Sequence, residues 1–298
     1  MKKWLKRLAA ACGMAVVALL LYTLVLLAWG LPSLDAVTDY QPKIPLRVYT
    51  ADEVLIGEFG TEHREFVPIH QVPLSLRQAV LAIEDARYYE HSGVDYIGVL
   101  RALGSILSGG GLQGAGTITM QVARNVLLTH ERTLTRKIKE ALLAYRIEAS
   151  LSKDQILELY LNQIYLGRGN YGFANAARSY FGKSLAELSL AEAALLAGVP
   201  KNPVRHNPAA NLGAAQERQR LVLESMHRQG YISQAQWQEA KAQPLKVNTA
   251  PSVAAHGAYV AEMVRASLFA QYQEQTYTRG LKVVTTIRSA EQASAHAA

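Results

Sequence analysis

The chain has 298 residues, half of them hydrophobic, which is enough to bury a sizeable core and excludes disorder as a whole-chain description. Basic residues exceed acidic ones by 31 to 24, so the formal charge of +7 suits an anionic partner such as phosphate, nucleic acid or a lipid surface.

The N-terminus narrows that choice. Lys2, Lys3, Lys6 and Arg7 precede a stretch from Leu8 to Trp29 without a single charge, long enough to cross a hydrocarbon core of roughly 30 Å. The pattern predicts one transmembrane helix with its basic flank in the cytoplasm and everything after Gly30-Leu31-Pro32 outside it. A cleaved signal peptide is the rival, but the stretch exceeds an h-region of about 7 to 15 residues and no small-x-small site follows. Cys12 lies inside this segment, so the exported part has no disulfide within the chain.

Residues 36–72 hold "PLRVYTADEVLIGEF" and "REFVPIHQVP", short β-branched and aromatic runs that predict a small hairpin near the membrane. From Leu74 to about Ala242 the pattern is helical, with capping boxes at Ser152/Gln155, Ser189/Glu192 and Ser233/Gln236. "LSLAEAALLAGVP" closes on Gly198 and Pro200, the stop signals of a helix. The glycine-rich "SGGGLQGAG" interrupts the helices and predicts a loop. No internal repeat is visible.

Three groups of residues carry candidate chemistry. In "AIEDARYYEHSG", a helix would set Glu84 one turn from Tyr88 and Asp85 one turn from Tyr89, placing a carboxylate against aromatic surface, a setting suited to general acid or base work; the competing reading is two solvated surface acids. In "GAGTITMQVARN", Thr117 is an N-cap and shares a face with Gln121 and Arg124, so a hydroxyl, an amide and a cation sit beside a helix N-terminus, a combination that favours phosphate or pyrophosphate; the plain alternative is a wet polar face. In "RKIKE", Arg136 and Lys137 precede Glu140 by four and three residues, so the carboxylate organises a basic pocket or takes a divalent metal, unless the group is a simple ion-pair cluster.

Other motifs carry less. Gly109–Gly114 and Gly167–Gly172 match G-x-G-x-x-G, but neither follows a strand in a βαβ unit. Ser150 and Lys153 satisfy S-x-x-K without a later K-T-G. The histidines show no metal-ligand spacing, and the basic residues are not interleaved with aromatics, so no nucleic acid is expected.

The order of these groups, followed by "LSKDQILELYLNQIYLGRGNYGFANAARSYFGK" and "LSLAEAALLAGVPKNPVRHNP", closely resembles the five-motif signature of peptidoglycan glycosyltransferases (family 51), in the arrangement of the N-terminal part of a class A penicillin-binding protein. That resemblance implies a mainly α, lysozyme-like domain with one transmembrane helix and a small β hairpin region. Its segments are a cytoplasmic tail (1–7), the anchor (8–29), a β-rich juxtamembrane segment (36–72), the glycosyltransferase domain (73–245) and the start of a linker (246–298) towards a transpeptidase domain that is absent, so no transpeptidase activity is expected.

The resemblance also implies roles. Glu84 would be the base that deprotonates the acceptor 4-hydroxyl of lipid II, supported by Asp85 and His91. Gln121, Arg124 and Arg136 would hold the donor pyrophosphate, with Lys137 beside them in the same motif, and Thr117 and Asn125 are further substrate-binding positions. Glu140 would be the second essential glutamate, acting on the leaving diphosphate directly or through a divalent cation (Mg or Mn), with no organic cofactor. Asn162 and Tyr165 fall in the donor-site motif. The expected partners are lipid II, the growing polyprenyl-linked strand, the membrane and other cell-wall synthesis proteins, at the bacterial inner membrane with the catalytic domain outside the cytoplasm.

Two departures stand out: the family usually reads G-[GA]-S-T-[IL]-T-Q-Q, where this chain has Gly116 and Met120, so two hydrogen bonds near the diphosphate are expected to be lost. Arg124 where lysine is common and Tyr88 for phenylalanine are milder. A non-catalytic lipid II-binding scaffold and a lysozyme-like lytic enzyme remain the alternatives.

Overall fold

The structure, a computed structural model, describes residues 13–14, 25, 28–38, 44–60, 63–107, 116–128, 133–249 and 257–297. The basic tail, most of the expected anchor and the glycine-rich stretch 108–115 lie outside the described residues. Met14, Val25 and Trp29 are helical, and among the described residues no helix is long and apolar enough to cross a membrane.

After a one-turn helix at Asp35–Thr38 come strands β1 (Leu46–Tyr49), β2 (Leu55–Phe59) and β3 (His63–Arg64), then helices α1 (Leu74–Glu84) and α2 (Tyr96–Leu107). Helices α3 (Ile118–Leu127), α4 (Leu134–Ser150) and α5 (Lys153–Gln163) follow, then β4 (Asn170–Tyr171), α6 (Phe173–Phe181), α7 (Leu190–Gly198), α8 (Leu212–Arg228) and α9 (Gln234–Ala242). The last are α10 (Ala258–Tyr272), β5 (Lys282–Val284) and α11 (Ser289–Ala297). The predominance of helix agrees with the mainly α expectation. The chain divides into two compact units, residues 1–40 with 89–156 and residues 41–88 with 157–298.

In the first unit α3 and α4 pack together, each started by a threonine: Thr117 Oγ1 accepts from the Met120 N–H and Thr133 Oγ1 from the Arg136 N–H. Such caps contribute about 1 kcal/mol each. Val94, Met120 and Ala144 form a small buried cluster with Ala141 against it. Helix α2 leaves Tyr96, Ile97 and Leu100 exposed.

The second unit is built on α7. Every residue from Ala191 to Gly198 is buried, because its small side chains let α1 and α8 pack on it and on each other. The box at Ser189 starts α7 as the spacing predicts, with Glu192 also taking the Lys183 ammonium at 2.7 Å. Leu76, Val80, Val222, Leu223 and Met226 are fully buried, each contributing about 1.5–3 kcal/mol. The boxes at Ser152 and Ser233 form in the same way.

The expected hairpin is present as β1 antiparallel to β2, with Leu46 opposite Phe59 and Val48 opposite Gly57. Its third strand comes from the other end of the chain: β5 lies parallel to β1, with Val48 opposite Val283. Leu46, Val48, Ile56 and Ala261 of α10 are the core of this layer, so segments that the sequence places at opposite ends make one sheet with one helix over it. A smaller parallel pair joins β3 to β4.

Candidate active site

Glu84, Asp85, Asn162 and Tyr165 belong to the second unit. His91, Thr117, Gln121, Arg124, Asn125, Arg136, Lys137 and Glu140 belong to the first.

Glu84 is the last residue of α1. Asp85 caps it, its N–H still bonded to the Leu81 carbonyl while its backbone, at φ −158° and ψ 76°, has left the helix. The continuous helix expected through "AIEDARYYEHSG" is therefore absent, and the one-turn facing of Glu84 with Tyr88 and of Asp85 with Tyr89 is lost with it, since the extended residue breaks the 3.6 period. Tyr88 instead sits in a separate 3-10 turn with its ring buried, and Tyr89 is exposed, its hydroxyl donating to Asp154 at 3.0 Å. Asp85 is buried and Glu84 half-buried, so the pair is not the two solvated acids of the competing reading.

Around Glu84 in its own unit stands α8. Ser225 Oγ and Gln229 Nε2 both donate to the Ala82 carbonyl, at 2.7 and 2.9 Å, clamping the last turn of α1. One face further along α8 is Arg218, half-buried, whose charge is disfavoured by burial and supported by the Glu84 carboxylate. Neither Arg218 nor His206, whose imidazole burial and then the Arg218 charge hold below its ordinary value, was a sequence candidate; they lie far from Glu84 in the chain and no local pattern announces them.

Asn162 is committed to the fold. Its Oδ1 accepts from the Val67 N–H at 2.8 Å, its Nδ2 donates to the Val67 and Glu158 carbonyls at 2.9 Å, and it is buried. A residue held at both ends ties the segment after β3 to α5. Tyr165 keeps a partly exposed ring, tilted against Tyr171 at a centroid distance of 5.0 Å.

In the first unit, Glu140 is completely buried, with one oxygen on Arg136 and the other on Lys137 Nζ at 2.8 Å. Arg136 is mostly enclosed and Lys137 half in solvent, so the cluster presents one fixed and one accessible cation. The i, i+3, i+4 spacing made this group legible. Thr117, by contrast, is spent: its hydroxyl donates to the Gly93 carbonyl at 2.5 Å and accepts from Met120, and the side chain is 2% exposed. Gly93, at φ +93°, packs so closely that a Cβ would stand 2.9 Å from the Ala144 backbone. What α3 offers a ligand is its N-terminal backbone and the half-buried Gln121 and Arg124, Arg124 Nε leaning on Asn125 at 3.4 Å. His91 is half-buried in the same unit.

The two departures separate. Met120 is 7% exposed and lies in the core with Val94 and Ala144, so the expected loss of a ligand contact there is corrected: the thioether fills apolar space. Among the described residues, the one heavy atom a Cβ on Gly116 would meet is Lys137 Nζ, 3.9 Å away.

The donor set does not fit a divalent cation on Glu140. Both its oxygens hold cations, and among the described residues no group of three or more His, Cys, Asp or Glu is placed to ligate a metal.

Residues 52–227 match the family described as Transglycosylase, more than half of the chain, and the chain belongs to that family. It is 48% identical to a penicillin-binding protein 1A of Neisseria lactamica over 300 residues, covering 98% of this chain and 38% of that protein. It is 44% identical to the penicillin-binding protein 1A of Escherichia coli K12 over 270 residues, 90% of this chain and 32% of that protein. A crystal structure of penicillin-binding protein 1A from Haemophilus influenzae superposes with a TM-score of 0.51 at 33% identity, over 86% of this chain and 29% of that one. The chain thus spans about a third of the length of these relatives.

Proposed function

We propose that the chain polymerises lipid II into glycan strands by β-1,4 transfer with inversion and release of a polyprenyl diphosphate. The observation that carries this is the Arg136–Lys137–Glu140 cluster, in which a buried carboxylate fixes two cations and leaves one accessible. A departing diphosphate needs such charge at the moment it forms, whereas a lytic hydrolase acting on finished glycan releases a sugar hydroxyl and does not.

In this reading Glu84 takes the proton of the acceptor 4-hydroxyl as it attacks the anomeric carbon of the donor. Arg136, Lys137, Arg124 and the N-terminus of α3 meet the developing negative charge on the diphosphate, and Glu140 keeps Arg136 and Lys137 aligned. The charge is met by these side chains and not by a cation seated on Glu140. Asp85, buried at the cap, fixes where α1 stops and so where Glu84 points. The uncharged 8–29 stretch and the exposed Tyr96, Ile97 and Leu100 support a membrane location, which confines enzyme and both lipid-linked substrates to one surface.

Labelled lipid II incubated with the full chain in detergent tests the proposal. Glycan strands are expected from the wild type, with the rate lowered by about 10²–10⁴ in Glu84→Gln. A Glu84→Gln protein that polymerises at wild-type rate removes Glu84 as the base, and a folded wild type that binds lipid II without turnover replaces the enzyme by a scaffold.

A further inference from the structure

The first turn of α3 is anchored by three successive contacts. Thr117 Oγ1 donates to the Gly93 carbonyl at 2.5 Å, and Met120 packs with Val94 and Ala144. Between them Thr119, completely buried, donates its hydroxyl to Glu148 Oε1 at 2.6 Å. Glu148 lies in the last turn of α4, where Glu140, Ala144 and Glu148 recur at spacings of four and so run along one face. The helix that fixes Arg136 and Lys137 through Glu140 thus fixes α3 through Glu148.

Packing alone does not ask for these residues. A valine would fill the space of Thr119 without a buried hydroxyl, and a leucine that of Glu148 without a carboxylate taken largely out of water. The Glu148 side chain is 9% exposed, and the same oxygen accepts a second bond, from Lys153 Nζ at 2.7 Å. Hydroxyl, carboxylate and ammonium therefore form a chain from α3 through α4 to the first residue of α5. Such a hydrogen-bonded chain specifies one register, where apolar side chains alone allow several. Asp154, next along α5, accepts from the Tyr89 hydroxyl at 3.0 Å, which ties the same turn from a second side.

This chain also accounts for the S-x-x-K match. Ser150 is exposed and its hydroxyl donates to the Arg146 carbonyl at 3.1 Å, while Lys153 pairs with Glu148. The lysine serves a carboxylate and not a nucleophile.

We propose that Glu148 is a positioning residue for the diphosphate site: paired with Lys153, it holds Thr119, and with it the N-terminus of α3, Gln121 and Arg124, in register with Arg136 and Lys137 of α4. This rests on the reading of those groups as the ones that meet the leaving diphosphate. Glu148 touches no substrate in it and acts through the placement of α3.

The test is steady-state polymerisation of lipid II by the full chain in detergent, with Thr119→Val, Thr119→Ser, Lys153→Met and Lys137→Met variants, each assayed well below its own Tm. Thr119→Val nearly keeps the shape and loses the bond. A misplacement of about 1 Å costs up to about a hundredfold in rate, so its kcat is expected to fall about ten- to hundredfold while KM changes less than about threefold. Thr119→Ser, which keeps the hydroxyl, should recover most of that kcat even where its Tm is lower for want of a buried methyl. Lys153→Met, which leaves Glu148 without its partner, should lower kcat about three- to tenfold. A tie that is structural only would lower Tm in Thr119→Val and leave kcat at the wild-type value; that result overturns the inference, as does a Thr119→Ser as slow as Thr119→Val. A slow Lys137→Met beside a fast Thr119→Val overturns the inference and spares the diphosphate site, whereas wild-type kcat in Lys137→Met removes the site and the inference with it. If Thr119→Val does not fold, the decision passes to Lys153→Met, whose wild-type kcat would overturn the inference.

Discussion

Glu140→Gln is nearly isosteric, so its effect isolates charge. The carboxylate is completely buried and serves two cations of unequal exposure: the Arg136 side chain is 15% exposed and that of Lys137 48%. Removing the counter-charge of an enclosed cation costs about 3–5 kcal/mol, whereas a pair half in water is worth about 0–1 kcal/mol. The amide oxygen retains one acceptor, and Arg136 keeps some access to water, so the loss should be about 3 kcal/mol, or roughly 6–12 °C in Tm for a chain of this size. Far-UV circular dichroism of the full chain in detergent reads the shift, with Lys137→Met as a control expected to cost about 1 kcal/mol or less. Polymerisation assayed well below the lowered Tm then separates lost chemistry from lost fold. A Glu140→Gln protein melting within about 2 °C of the wild type would show that the buried pair carries little stability and would refute the reasoning from enclosure.

The two departures from the family pattern should respond in opposite ways. Gly116→Ser places a hydroxyl next to the Lys137 ammonium and is expected to lower KM for the donor about two- to tenfold with Tm unchanged, whereas Met120→Gln buries an amide beside Val94 and Ala144 and is expected to cost about 1–3 kcal/mol of stability. Matched steady-state kinetics and melting curves check both, and a gain of donor affinity in Met120→Gln would contradict its place in the core. The imidazole of His206 gives a pH signature. Burial, then the charges of Arg218 and Arg205, hold it below its ordinary value of 6.5, so the unfolded chain binds its proton more readily and stability falls as pH drops below that value. Tm recorded from pH 8 down to pH 5 should decline less steeply in His206→Gln, and superimposable profiles would remove His206 as the cause.

What could be read from the sequence was local. Caps such as Thr117, Ser189 and Ser233 depend on residues three apart, and the Glu140 cluster on residues three and four apart on one helix, so spacing alone placed them. The one-turn facing of Glu84 with Tyr88 was misread because Asp85, with no glycine or proline to announce it, leaves the helix at φ −158° and ψ 76°. Roles that depend on distant partners were invisible: Asn162 is bound to Val67, ninety-five residues away in sequence, and Ser225 and Gln229 reach the Ala82 carbonyl only because α8 returns to α1. Met120 shows the converse error, in which a family pattern drew a core residue into the ligand site.

The parallel pairing of β5 with β1 bears on how the protein is made. A strand laid down early in synthesis waits roughly 230 residues for its neighbour, which at about 5–20 residues per second is some 10 to 50 seconds. Until then β1 has one open edge, and Leu46, Val48 and Ile56 lack the helix that covers them. The first strands to emerge are thus the last to be completed, and a long-range closure of this kind makes the layer slow to form and exposes it to mispairing or to chaperones meanwhile.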